Sequence, residues 1–371
     1  MVEYPSLLTT VFAFLLVLGP LVLVHELGHY LVGRCFGVKA DVFSIGFGRE
    51  IAGWTDRRGT RWKLSALPLG GYVQFAGDMN AVSAPDASVA ALPAEEQTHT
   101  FHVKPLWQRS LIVAAGPVTN LLFAVAIFAT FNMVYGKVTA APVVSQVVEG
   151  SAAAKAGIQP GDRVITLNGD RIESFDQIPG RVLPYPGREI DVRLVRDGKE
   201  LDLRFRIGER VERDRFGNES RIGSLGVVAG DVQVVKVGPG EAVVLAFQQS
   251  VGVVKMMVTG IGQIFTGERS VKELGGPIKI AKYSGEQFSL GWPEFVYFVA
   301  LISINLAFIN LLPIPGLDGG HLAFYAAEAV RRKPLDIRSQ EWAFRTGLAF
   351  VLALMLFVTI NDIVSLPIFG R

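Results

Sequence analysis

The chain has little cysteine, little net charge and, over long stretches, no charge of either sign. Cys35 is the single cysteine among 371 residues, which excludes an intrachain disulfide framework. The 36 Lys and Arg nearly cancel the 34 Asp and Glu, leaving a net charge of +2. Such a balance gives no electrostatic support to nucleic-acid binding. No charged residue occurs between Tyr4 and Val24. Histidine is scarce as well. There are five, and His25 and His29 stand at the end of that charge-free run, flanking Glu26. Half of the residues are hydrophobic. They are clumped, and mean hydropathy is +0.37. A membrane class follows. Met1 to Ser6 carries only Glu3, and no small-residue cleavage site follows the apolar run. The first segment therefore reads as a retained helix rather than a signal peptide.

A spanning helix needs about 20 mostly apolar residues. Four segments qualify: Leu7 to Gly33, Trp107 to Tyr135, Phe295 to beyond Asp318, and Trp342 to Ile360. A fifth, Glu241 to Phe265, is interrupted by Lys255 and carries Gln248, Gln249, Ser250 and Gln263. Basic residues mark one side of each of the four spans. Arg34 and Lys39 follow the first, and Lys104 and Arg109 precede the second. Arg331, Arg332 and Lys333 follow the third, and Arg338 and Arg345 precede the fourth. The positive-inside rule places these in the cytoplasm, with both termini outside. A fifth crossing would turn the Arg331–Lys333 cluster outward, so 241–265 reads as an interfacial amphipathic helix.

The expected fold is a polytopic α-helical membrane protein of four spans with an inserted β-rich domain. The expected divisions are 1–36 (first span), 37–105 (cytoplasmic strand region and loop), 106–136 (second span) and 137–230 (external domain). They continue with 231–290 (interfacial helix region), 291–330 (third span), 331–341 (cytoplasmic loop) and 342–365 (fourth span). In the loop, VFSIGFG and TRWKLSALPLGGYVQFAG read as short strands and tight turns, and Asp78 to Thr100 as a mobile Ala/Pro/Glu-rich stretch. In the external region, Ser151 is placed to cap a short helix ending at Gly157. Pro160-Gly161-Asp162 is a turn signal, Val164 to Leu167 reads as a strand, and Asn168-Gly169 as a hairpin turn. RIGSLGVV, from Arg221, reads as the last strand of this domain.

Residues four apart share a helix face, so His25 and His29 can hold one metal ion. Neutral imidazole suits zinc. Glu26 is placed to take a proton from water and pass it to a leaving amine, as in the HExxH pattern of zinc peptidases. An ionisable residue in a membrane helix costs about 2.5–3.5 kcal/mol on insertion scales, which weighs against an idle site. A catalytic zinc wants a third protein ligand. The stretch NLLPIPGLDGGHL, from Asn310, offers Asp318, with His321 as a rival one turn later. Its prolines and glycines break the helix. At about 1.5 Å per residue, Asp318 and the two histidines reach a similar depth near the cytoplasmic side. His99 and His102 read as solvated surface.

These motifs carry two resemblances. EGSAAAKAGIQPGDRVITLNGDRI, from Glu149, resembles a PDZ domain of the circularly permuted bacterial type. HELGH at 25–29 with LDG at 317–319, in the order HExxH span, second span, PDZ, LDG span, resembles the site-2 protease family of intramembrane zinc metalloproteases. That resemblance implies one zinc per chain on His25, His29 and Asp318, with Glu26 as base. GPVTN, Gly116 to Asn120, matches a recurrent GxxxN pattern, which reads first as helix packing through a small residue with Asn120 hydrogen-bonding across helices, and Asn310 matches an Asn of the NxxPxPxLDGG pattern. Asn120, Asn310 and the LGGYVQF strand (Gly70, Gly71, Tyr72, Val73) would position substrate. The implied partners are single-pass membrane proteins such as anti-sigma factors, the lipid bilayer, and an upstream site-1 protease. Remnant signal peptides are a further substrate class. The best-known enterobacterial relatives carry two tandem PDZ domains, whereas this chain has room for one. A membrane zinc hydrolase of lipids or small molecules is a rival enzyme reading, against which the PDZ resemblance counts; a catalytically dead adaptor and a transporter are the other rival classes. Retention of all four site residues and the lack of an inverted repeat argue against them.

Overall fold

The structure is a computed structural model that describes residues 5–77, 93, 97–213, 219–333 and 335–364. It divides into two compact units. One comprises Met1–Ile127 with Gly276–Ile360, the other Phe128–Gly275 with Asn361–Arg371. Most of the expected Asp78–Thr100 segment lies outside the described residues.

The first unit combines long helices with one antiparallel sheet. Its α1 (Leu7–Cys35) starts where Ser6 Oγ accepts the Thr9 N–H at 3.1 Å, and it continues as one helix through Pro20. After α1 come β1 (Ala40–Thr55) and β2 (Arg61–Phe75), then α2 (Leu106–Tyr135), whose residues from 128 belong to the second unit. The strands are longer than the short pieces expected, because each folds across the other. Residues 42–45 of β1 pair on one side with 71–74 and on the other with 61–64, and 52–55 pair again with 61–64. The result is a bent antiparallel sheet whose one edge is 71–75. Phe43 and Trp62 stack at 4.3 Å, and Tyr30 of α1 meets Trp62 edge-on at 5.2 Å, which ties the sheet to the helix.

The apolar core of this unit joins Ala13, Val17 and Leu21 of α1 to Phe295 and Val299, with Phe123 of α2 packed against them. The later helices are α6 (Pro277–Leu290), α7 (Trp292–Leu311), α8 (Asp318–Arg331) and α9 (Ile337–Val364). The expected third span is thus two helices. Residues 312–317 between them are non-helical, with Gly316 at φ +98°. Gly319 and Gly320 permit the tight fold-back. A Cβ at Gly319 would fall on the Leu311 and Leu312 carbonyls, and one at Gly320 on that of Ile314.

The second unit is β-rich. Its strands are β3 (Lys137–Ala140), β4 (Val144–Val147), β5 (Arg163–Leu167), β6 (Asp170–Arg171), β7 (Glu189–Arg196), β8 (Lys199–Arg206), β9 (Gly208–Arg213), β10 (Glu219–Ser224), β11 (Val227–Ala229) and β12 (Val232–Val235). Between them lie α3 (Ala152–Lys155) and α4 (Gln177–Val182), and α5 (Pro239–Phe265) follows. The main sheet has the order β6-β5-β7-β8. Ile190, Val192 and Leu194 alternate inward along β7 onto a core with Val164, Leu167, Ile178 and Ile207. Ser151 Oγ accepts the Ala154 N–H, as a helix cap does. Asn168 and Gly169 both take positive φ, 51° and 86°, as a primed hairpin turn requires. The strand expected from Arg221 to Val228 is in fact two. Gly226 has φ +78° and its missing Cβ makes room for Ser151, which breaks the run between β10 and β11.

Among the described residues, five helices are long and apolar enough to cross a membrane: α1, α2, α5, α7 and the Trp342–Val364 part of α9. The protein is a multi-pass membrane protein.

Candidate metal centre

Three side chains from two helices converge. On α1, one turn brings His25 Nε2 and His29 Nε2 to 3.2 Å, with the rings edge to face. Asp318 opens α8, where the helix dipole favours negative charge. Its Oδ2 lies 3.1 Å from His25 Nε2 and 3.6 Å from His29 Nε2. One ligand atom from each residue falls within 4.8 Å of the others, and among the described residues no other such His, Cys, Asp or Glu group occurs.

This arrangement suits a metal. Asp318 Oδ2 is buried and accepts no hydrogen bond. His29 Nδ1 lies 2.9 Å from the Ile112 carbonyl, which can only accept, so Nδ1 carries the proton and the Nε2 lone pair faces Asp318. Two imidazole nitrogens and one carboxylate oxygen are a donor set that zinc uses in catalytic sites.

The second helix, α2, makes the room. A Cβ at Gly116 would fall on His29 Nε2 and lie 2.9 Å from His25 Cε1. A Cβ at Gly28 of α1 would lie 2.5 Å from the Ala115 carbonyl oxygen, so the helices approach through small residues. Asn120, fully buried, turns its Nδ2 to within 3.3 Å of His25 Nδ1. Its backbone carbonyl accepts the Ser303 hydroxyl of α7 at 2.8 Å. Further along, α8 is docked on α2 by the Arg109–Glu328 pair at 3.3 Å, with Arg109 over the Tyr325 ring at 4.9 Å. Glu328 also accepts the Leu335 N–H.

Glu26 is buried beside the histidines. The 71–75 sheet edge runs past it. A Cβ at Gly71 would lie 3.2 Å from Glu26 Cγ, so this glycine lets the strand close on the helix. Gly70 has φ +123°, and inward Val73 and Phe75 alternate with half-buried Tyr72 and Gln74. The strand therefore lies alongside the base.

Other candidates fall outside this group. His321 lies one turn along α8 and is not part of it. Asn310 is half-buried in the last turn of α7. His99 bonds the Gly37 carbonyl. Two contributors had no expectation attached: the Ile112 carbonyl, which is backbone and leaves no mark in sequence, and Gly116 as a space for imidazole. Ile112, Gly116 and Asn120 recur every four residues, which is the signal that could have found the face.

A family model described as peptidase family M50 matches residues 13–354. A relative from Agrobacterium fabrum, provisionally named a zinc metalloprotease, is 44% identical over 358 residues, 95% of each chain. One from Rhizobium meliloti, with the same provisional name, is 45% identical, covering 95% of this chain and 96% of its own. The metalloprotease MmpA of Caulobacter vibrioides is 35% identical, covering 96% of each. The chain belongs to peptidase family M50, the site-2 proteases, and is a zinc metallopeptidase.

Proposed function

We propose that this peptidase cuts within the membrane-spanning segments of single-pass membrane proteins. The observation that carries the reading is the convergence of His25, His29 and Asp318 on helices apolar enough to cross a bilayer. His25, His29 and Asp318 would hold the zinc, which when bound supplies a Lewis acid that polarises a carbonyl and acidifies water. Glu26 takes a proton from the attacking water and delivers it to the leaving nitrogen as the C–N bond breaks.

A substrate helix hides its scissile carbonyls in its own hydrogen bonds and must unwind first. The edge strand 71–75 offers pairing for the unwound segment, next to Glu26. Gly70, Gly71, Tyr72, Val73 and Asn310 are the proposed substrate-positioning residues.

In this reading α1, α2, α7 with α8, and α9 make four crossings of a bacterial inner membrane. Both termini are outside and the centre lies near the cytoplasmic face, in line with the basic clusters. Helix α5 lies at the interface, since its crossing would turn Arg331 to Lys333 outward. The β-rich unit acts outside as a PDZ-type domain that filters by size or binds new C-termini. The cap at Ser151 and the Asn168-Gly169 turn support that assignment. Substrates are anti-sigma-factor-like proteins already trimmed by a site-1 protease, or remnant signal peptides.

The test is cleavage of a tagged single-pass substrate by purified protein and by Glu26→Gln, with the new termini mapped by mass spectrometry. Cuts inside the apolar segment, abolished in Glu26→Gln, are expected. Cuts only in the soluble flanks would overturn the proposal.

A further inference from the structure

We infer that Asn120 is a positioning residue for the metal centre: its Oδ1 accepts the Nδ1–H of His25 and so turns the Nε2 lone pair toward Asp318 and His29. The inference rests on the reading of His25, His29 and Asp318 as the zinc ligands.

The two histidines pose one problem twice. An imidazole binds metal through one nitrogen only if its proton sits on the other. For His29 the answer is visible, because the Ile112 carbonyl oxygen lies 2.9 Å from Nδ1 and accepts its proton. His25 Nδ1 faces Asn120 at 3.3 Å, and Asn120 Oδ1 is buried with no hydrogen-bond partner. The oxygen and nitrogen of an amide are nearly the same size, so a half-turn about Cβ–Cγ exchanges them at little steric cost. After that half-turn Oδ1 accepts from His25 Nδ1, and the unpartnered oxygen gains a donor. The unturned amide would donate to Nδ1 and leave the proton on Nε2, where it would block the metal.

The spacing makes the two contacts one device. Ile112, Gly116 and Asn120 lie four apart on one face of α2, against a histidine pair four apart on α1. Gly116 leaves space for the rings, and the residues above and below hold one outer nitrogen each. The Ser303 hydroxyl on the Asn120 carbonyl fixes this turn of α2. Asn120 has no exposed surface, which separates this role from contact with a substrate. Outer partners of metal-bound histidines typically change metal affinity 10–100-fold.

The experiment is zinc affinity of the full-length protein in detergent, by competition with a chromophoric chelator. Wild type is compared with Asn120→Asp, which keeps the acceptor, and Asn120→Leu, which removes it. Asn120→Ala replaces the leucine variant if that does not fold. The expected result is about 10–100-fold weaker zinc binding in the acceptor-free variant, with Asn120→Asp close to wild type. Thermal unfolding of the zinc-free proteins would not follow that order. Equal affinity in all variants, or an Asn120→Asp as weak as Asn120→Leu, would overturn the inference. Asp318→Ala and His25→Ala run alongside. Undiminished zinc in those two would overturn the ligand reading itself, and this inference with it.

Discussion

The cradle around His25 and the core under β7 are held together in opposite ways. In the β-rich unit, alternation does the work: Ile190, Val192 and Leu194 face inward and their neighbours face out. Water outside drives that burial. At the metal centre, apolar surface gives little discrimination, because lipid is as apolar as the helix partner. There the contacts are close approaches at Gly28, Gly71 and Gly116, and polar bonds to Ile112 and Asn120. The difference teaches where each region is vulnerable. The β-rich sheet should tolerate volume changes at an ordinary cost in stability. The membrane centre should fail when a single methyl group is added.

The comparison breaks most visibly at Gly116. Gly116→Ala should remove zinc and lower cleavage at least about a hundredfold, since misplacement of catalytic groups by about 1 Å has that effect. Metal analysis and a cleavage assay check it, and retained zinc would show that the histidines can shift aside. Leu194→Ala is the counterpart in the other region. It should cost about 2–5 kcal/mol in unfolding of the β-rich unit, followed by denaturant titration, with zinc content unchanged. Arg109→Ala is smaller in effect on chemistry. It strips Glu328 of its charged partner and loosens α8, so zinc affinity should fall several-fold, while Glu328→Gln with Arg109→Met should recover part of it. A double-mutant cycle read by chelator competition measures this.

The mildest test is acid. Asp162 is buried, which pushes its carboxyl up, yet the Arg196 guanidinium at 2.7 and 2.8 Å and the Gln159 N–H hold it below the ordinary 3.8. A depressed folded-state value stabilises the unit above the unfolded value, and this is lost as pH falls through the folded one. The β-rich unit should therefore lose stability below about pH 4. Asp162→Asn should flatten that dependence. An unchanged slope in the acid range would remove Asp162 from the account.

Much of this was legible in sequence, for physical reasons. HELGH and LDG carry their own chemistry, and a charge-free run before His25 is a composition signal. The hairpin at Asn168-Gly169 was legible because few residue pairs adopt that turn. Residues 42–45 pairing on both sides were not, since strand bends depend on what the sheet packs against. The division at Gly226 was missed because an alternating run hides a left-handed glycine. The spatial link between Asn120 and His25 was also hidden. GxxxN is readable as packing, but which ring the Asn meets depends on how two helices cross.

Zinc stoichiometry of purified wild type and Asp318→Ala tests the central claim most directly. About one zinc per chain in wild type and little in the variant is the predicted outcome for a site that needs a third ligand from α8. A full complement of zinc in Asp318→Ala would contradict a centre built from α1 and α8 together.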